Sequence, residues 1–219
     1  MLSNLAWKEL RETTWIAGVA LLAFGYQTFT AMGVGLAPWH NYGWVEPIPF
    51  VHGEFTAGFG FVAFCLAMAL GFRQSVGESA FGTYLFLLHR PASRLRLIGT
   101  KLAVGLGLCL VCSSLPILGY AFWAATPGTH PGPFEWSMTA EVWKVWLAVT
   151  IVYFGAVLSG IRPGRWYGTR LLPLVGAGVL AILVASVPWT VMVALAVVLI
   201  IDAALVAATL FAARQRDYP

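Results

Sequence analysis

Few residues of this chain could take part in chemistry, and most of them fall in one hydrophilic stretch. His40, Glu46, His52 and Glu54 lie close together between two apolar runs. Imidazole and carboxylate groups are ligands for zinc and partners in acid–base catalysis. Their spacing matches no standard ligand pattern, so we interpret them as solvated loop residues. A membrane-embedded enzyme that uses this cluster is therefore the least favoured function.

Sequence motifs for catalysis or nucleotide binding are absent. The chain has no GxxxxGK[ST] phosphate loop, no HExxH zinc motif and no GxSxG nucleophile turn. Cys109 and Cys112 have CxxC spacing but no second pair, and with Cys65 they lie in apolar segments, as packing residues do. We expect no catalytic residue in this chain, and no metal or cofactor bound by it.

Asp202 is the exception among otherwise apolar surroundings, because it lies within the run LIIDAALVAA. A carboxylate at the centre of a membrane costs about 2.5–3.5 kcal/mol on insertion scales. It should therefore face a bundle interior, an aqueous cavity or a partner helix. Two interpretations remain open: a residue of a translocation path, or a hydrogen-bonded residue that packs helices together. Nearby alanines have the small-xxx-small spacing that allows close helix packing.

The elements that position these residues are long apolar helices. Of the 219 residues, 59% are hydrophobic and 10% are charged, whereas soluble domains carry about 25% charged residues. A bilayer core needs roughly 20 apolar residues in a helix. We therefore predict an all-α, polytopic membrane protein, a single transmembrane domain over residues 1–219 with six transmembrane helices. The predicted spans are about 15–36, 55–72, 97–124, 140–159, 171–186 and 189–213.

The distribution of positive charge predicts the orientation of these spans. If the N-terminus is cytoplasmic, 12 of the 13 Lys and Arg residues lie in cytoplasmic segments, and Lys144 is the exception. Cytoplasmic loops carry an excess of Lys and Arg, so both termini are predicted to be cytoplasmic. Residues 1–14 have one apolar face and several charges, which is typical of an amphipathic helix on the membrane surface.

The most basic segment, Gly82–Leu102, lies between the second and third predicted spans. Apolar residues recur every four positions just before this segment and in its first part, at Val76, Ala80, Tyr84 and Leu88. This pattern predicts an amphipathic helix that ends near Pro91. Arginines alone would keep this loop in the cytoplasm and contact anionic lipid. The helix ahead of them also offers a docking surface.

The stretch LLHRPASRLRLIGTKL, residues 87–102, together with NLAWKELRET near the N-terminus, resembles the membrane subunits of type-2 ABC exporters. The resemblance implies six spans, a surface helix at the N-terminus and a coupling helix between spans 2 and 3. It implies that ATP hydrolysis, with Mg²⁺, takes place on a separate cytoplasmic ATPase dimer. The implied coupling contacts are Glu78, Phe81, Tyr84, Arg90 and Arg94.

The resemblance further implies a partner in the membrane, either a second copy of the chain or a related subunit, and a location in the bacterial plasma membrane. No nucleic acid is expected as a partner. The link between the last two predicted spans, Ser186–Trp189, is shorter than the family often has, and the substrate stays open. The alternative is a non-transporting membrane anchor or assembly subunit of a larger complex.

Overall fold

The computed structural model describes residues 2–34, 48–51, 53–80, 94–162, 164 and 166–215. Within these ranges the chain is helical and contains no strand, so the predicted all-α class is confirmed. The long helices are α1 (Leu2–Ala31), α2 (Glu54–Ala80), α3 (Arg94–Ala125), α4 (Ala140–Ile161), α5 (Leu172–Ser186) and α6 (Val191–Gln215). A single turn of 3-10 helix, Trp136–Thr139, leads directly into α4.

Among the described residues, five helical segments are long and apolar enough to cross a membrane. They are Glu54–Val76, Arg96–Ala125, Trp136–Ile161, Gly168–Ser186 and Val191–Ala213. At a rise of 1.5 Å per residue, each of them approaches or exceeds the roughly 30 Å of a hydrocarbon core. The membrane class follows from these five, while the sixth span and the orientation stay predictions.

Helix α1 differs from the prediction. We expected a surface helix over residues 1–14 and a separate span after it, but α1 runs from Leu2 to Ala31 without a break. The hydroxyls of Thr13 and Thr14 donate to the carbonyl oxygens of Glu9 and Leu10, one turn back, so the expected boundary is ordinary helix. The expected separate surface helix is therefore wrong.

Helix α2 is longer than predicted and includes the start of the expected coupling helix. It continues past Phe72 to Ala80. Gln74 and Ser75 are buried in the bundle, and the Ser75 hydroxyl donates to the Gly71 carbonyl oxygen. Because these polar side chains form hydrogen bonds inside the protein, they are compatible with a buried helix and do not end it. The first residues of the predicted amphipathic helix, Val76 to Ala80, thus belong to α2, and the rest of that prediction lies outside the described residues.

The limits of α3 to α6 are close to the predicted ones, whereas α1 ends at Ala31, before the predicted end of the first span at residue 36. Both ends of α4, α5 and α6 lie within two residues of the predicted bounds, and α3 begins three residues earlier than expected. The Pro- and Gly-rich segments between these helices made those ends visible in the sequence.

Helix α4 is the centre of the bundle and packs against α2, α5 and α6. In its apolar stretch 78% of the residues are buried, compared with 17% for α5 and 11% for α6. Gly71 allows α2 to approach closely, because a Cβ atom there would lie 2.6 Å from the Ala156 Cβ and 2.9 Å from the Tyr153 carbonyl oxygen. Helix α1 packs on α3 and α2, on the side of the bundle away from α5 and α6.

Candidate functional site

The end of the bundle where α2 stops and α3 starts flanks the basic segment. Of the predicted coupling residues, Phe81, Tyr84 and Arg90 lie outside the described residues. Glu78 lies in the last turn of α2, and Arg94 is the first residue of α3. The candidate site is therefore defined by what the described helices place at this end.

A buried ion pair joins α1 to α3 at this end. The Lys101 ammonium lies 2.9 Å from Glu9 Oε1, and the two side chains are only 9% and 2% exposed. Removing two charges from water costs several kcal/mol for each ion, and a close pair recovers that cost only with good geometry. Such a pair is weak as a source of stability, but it sets the register of α1 against α3.

Hydrogen bonds tie two more helices to the same turn of α3. The Gln74 amide Nε2 of α2 donates to the Lys101 carbonyl oxygen at 3.0 Å. The Tyr153 hydroxyl of α4 donates to Gln74 Oε1 at 2.6 Å and lies 3.2 Å from the Leu102 carbonyl oxygen. We call Glu9, Lys101, Gln74 and Tyr153, with these bonds, the polar latch. Through it α1, α2 and α4 all contact one turn of α3.

Gly105 makes the latch possible. It lies one turn after Lys101, and any Cβ atom at this position would collide with Gln74 Oε1 and the Tyr153 hydroxyl. The amide and the phenol occupy the space that a side chain would take. Glycine at 105 is thus required for polar packing and not for backbone freedom.

A more exposed layer of charge surrounds the latch. Arg73 Nη2 lies 3.3 Å from Glu12 Oε2, and Lys8 Nζ lies 3.6 Å from Glu12 Oε1. The three side chains are between 27% and 43% exposed. Ion pairs with this exposure contribute little to stability, about 0–1 kcal/mol each. They extend the α1–α2 contact toward the solvent and leave the latch as the buried part of the site.

Sequence reasoning missed the latch, because it assigned Glu9 to a surface helix and counted Lys101 among the cytoplasmic charges at the start of the third span. A signal for Glu9 was present in the sequence. The buried positions of α1 form a stripe at helical spacing, and Glu9 lies inside it, with Leu5, Thr13, Ile16, Ala20 and Phe24. An acidic residue on the apolar stripe of a helix needs a buried partner. The partner could not be identified without the fold.

Asp202 is held by a single strong contact within the bundle. The Thr150 hydroxyl of α4 donates to Asp202 Oδ2 at 2.6 Å, and Thr150 also lies 2.8 Å from the Leu147 carbonyl oxygen. Asp202 Oδ1 is buried and has no hydrogen-bond partner among the described residues. The carboxylate therefore faces the α4–α6 contact, as the sequence required of an intramembrane acid.

The His and Glu cluster that the sequence predicts at the opposite end of the bundle lies mostly outside the described residues. His40, Glu46 and His52 lie outside the described residues, and Glu54 is the exposed first residue of α2. Glu141 instead pairs with Lys144 on the same helix, at 2.7 Å. Among the described residues no group of three or more His, Cys, Asp or Glu side chains could hold a metal ion.

Comparison with known proteins adds no relative. No protein-family model, curated protein or solved structure matches this chain. Functional inference therefore depends on the residues themselves and on their geometry.

Proposed function

We propose that this chain is the membrane subunit of an ATP-driven exporter of the type-2 ABC class, located in a bacterial plasma membrane. Two copies, or one copy and a related subunit, would form the translocation path. Two cytoplasmic ATPase subunits would bind and hydrolyse ATP with Mg²⁺. This chain would have no catalytic residue, and its task would be to convert ATPase closure into helix movement.

The observation that carries the proposal is the position of the polar latch. Helix α3 begins at Arg94, directly after the core of the basic segment, and the latch lies two turns further on. A cytoplasmic partner that displaces residues 81–93 would act first on the start of α3. Lys101 and Leu102 would then pass the displacement to α1, α2 and α4. ATP must favour one of two membrane-domain states for such a device to work.

The charge distribution supports the orientation that this mechanism needs. With both ends of the chain in the cytoplasm, the basic segment and the latch face the ATPase. Arg90 and Arg94 would pair with acidic groups of that partner, and Glu78, Phe81 and Tyr84 would complete the contact. Arginine suits this role because its planar group binds carboxylates in two-pronged fashion.

For Asp202 the geometry favours helix packing over a translocation path. Its Oδ2 atom is bonded to Thr150 across the α4–α6 contact. Several apolar residues near it on α6, among them Leu199 and Ile200, are exposed and face away from the chain's own core. We therefore assign Asp202 to holding α6 on α4.

An anchor or assembly subunit is the second candidate, and the exposed surface of α5 and α6 favours it. Many of their apolar side chains face away from the chain's own core, among them Leu172, Ile182, Met192 and Ile200. Further membrane helices could cover such a surface. In this case no ATPase would bind the basic segment.

Purification of the tagged chain from its native membrane separates the two candidates. If the exporter proposal is correct, an ABC ATPase co-purifies and the complex hydrolyses ATP. Reversal of two charges, Arg90→Glu with Arg94→Glu, should lower ATPase retention at least about tenfold, because charged interface pairs contribute strongly to affinity.

Arg162→Glu is the matched control, since this exposed arginine follows α4 in a different cytoplasmic segment. Retention should stay near the native level in this variant. A chain that never retains an ATPase, or a double reversal without effect, would exclude the exporter and leave the anchor.

A further inference from the structure

An apolar groove lies between α3 and α6. Both helices contact α4, but they make few contacts with each other. The volume of the groove is about 260 Å³. The walls come from the first turns of α3 and the last turns of α6, with α4 as the floor. The residues that line it include Gly99, Leu102, Ala103, Phe154, Val206 and Leu210.

The narrow, apolar groove suits an occupant that is itself apolar and narrow. None of its lining side chains is polar, so water has no partners there. Gly99 and Ala103 are exposed, and a Cβ atom at Gly99 would meet no atom within 4 Å. Two turns of helix with side chains fill roughly 850 Å³, taking a diameter of about 10 Å. The groove therefore has the size for a whole alkyl chain, whereas a helix could place only some of its side chains in it.

Positive charge lies at one end of the groove. Arg96 is exposed and precedes Gly99 by one helical turn, so it shares the face that lines the groove. Lys101 is turned the other way, to Glu9. The cation of Arg96 therefore stands at the mouth of an apolar slot.

We propose that this groove binds one acyl chain of an anionic glycerophospholipid and that Arg96 contacts its phosphate. A guanidinium binds phosphate through paired N–H donors. The acyl chain fills the space between α3 and α6, where the two helices do not contact each other. The bound lipid completes the packing between the two helices. This inference does not depend on the exporter proposal, because the groove and Arg96 share one end of the bundle in either orientation.

Native mass spectrometry of the purified chain tests the proposal, with phosphatidylglycerol and phosphatidylcholine supplied in equal amounts. The native chain should retain phosphatidylglycerol in preference to phosphatidylcholine. Ala103→Trp and Leu210→Trp fill the groove from opposite walls, and either should abolish lipid retention. Arg96→Gln leaves the slot open and should lower the preference for phosphatidylglycerol about fivefold.

Two matched controls locate the effect. Val111→Trp places an indole on the exposed face of α3 outside the groove, where Val111 is 60% exposed, and Arg11→Gln removes a cation from exposed α1. Both should retain lipid like the native chain. If Arg96→Gln leaves the preference unchanged, or if native protein retains no phosphatidylglycerol, the proposal is wrong. Loss of dimers in Ala103→Trp with lipid retained would assign the groove to a second copy and would equally overturn it.

Discussion

Two regions of this bundle are held together by different means. Helices α1 to α4 meet at a buried polar latch, in which an ion pair and hydrogen bonds converge on one turn of α3. The hairpin of α5 and α6 contacts the rest of the chain mainly through α4. Near the middle of α6, a hydrogen bond from the Thr150 hydroxyl of α4 to Asp202 joins the hairpin to the bundle.

The difference teaches how a chain with little polar surface specifies helix register. Apolar side chains gain little from meeting each other in lipid, because the tails are equally apolar. Close packing and polar bonds must then determine position. The latch supplies both for α1 to α4, so this region should move as a unit. The hairpin is tied to α4 at two separate places, by Thr150 to Asp202 and by the Leu174 N–H to Ser159 Oγ, and much of its apolar surface is exposed. We therefore expect it to be the part that shifts.

The largest expected effect comes from breaking the ion pair of the latch on one side. Lys101→Met leaves the Glu9 carboxylate buried without its cation, and we expect a loss of about 3–5 kcal/mol in the free energy of unfolding. Detergent-titrated unfolding, followed by circular dichroism, measures it.

The paired variant Glu9→Leu with Lys101→Met removes both charges and should recover most of the stability, because no unpaired charge remains. Equal losses in the single and the double variant would mean that the pair is not buried. The contrast between the two regions would then lose its main support.

A smaller effect should come from filling the space of Gly105. Gly105→Ala puts a methyl group where Gln74 and Tyr153 meet and should cost about 1–3 kcal/mol, as overpacking does. Gly107→Ala is the matched control on the same helix, since a Cβ atom there meets no atom within 4 Å. It should be neutral or stabilise by up to about 1 kcal/mol. If both alanines have the same effect, the latch does not pack as described.

Most helices of the fold, but little of the site, could be predicted from the sequence. Long apolar runs bounded by Pro and Gly predicted α4, α5 and α6 closely, because span length is set by the bilayer. The ends of α1 and α2 were mispredicted where polar residues are buried, at Glu9 and Gln74. A charged residue is predicted from the sequence to face solvent. Only the fold shows that a residue far away in the sequence pairs with it and allows it to be buried. Asp202 was found in advance, because its surroundings contain no other charge.

A third variant tests the weaker region through one of its polar ties. Thr150→Val removes the hydroxyl that donates to Asp202 and should cost about 0.6–1.7 kcal/mol, the range of interhelical hydrogen bonds in membranes. Thermal unfolding measures the loss, and Asp202→Leu, alone and together with Thr150→Val, completes a double-mutant cycle in which each single change removes the bond. Thr30→Val is the control, because its exposed hydroxyl bonds only one turn back in α1, to Tyr26. A coupling energy near zero would mean that the bond between Thr150 and Asp202 does not stabilise the hairpin. The two regions would then differ more in how firmly they are held.

The smallest effect should be on the outward face of α6, and it decides whether lipid or protein covers that face. Ile200 is 71% exposed and Val198 is 1% exposed, so the two positions face opposite directions on one helix. Ile200→Ala should change the free energy of unfolding by less than about 0.5 kcal/mol, as surface substitutions do. Val198→Ala leaves a cavity against α4 and should cost about 1 kcal/mol or more. Both are measured by thermal unfolding at several protein concentrations. If Ile200→Ala costs as much as Val198→Ala, and the cost depends on protein concentration, another membrane helix covers α6. The hairpin would then be an assembly surface, and its sparse packing within one chain would reflect a partner in the membrane instead of freedom to move.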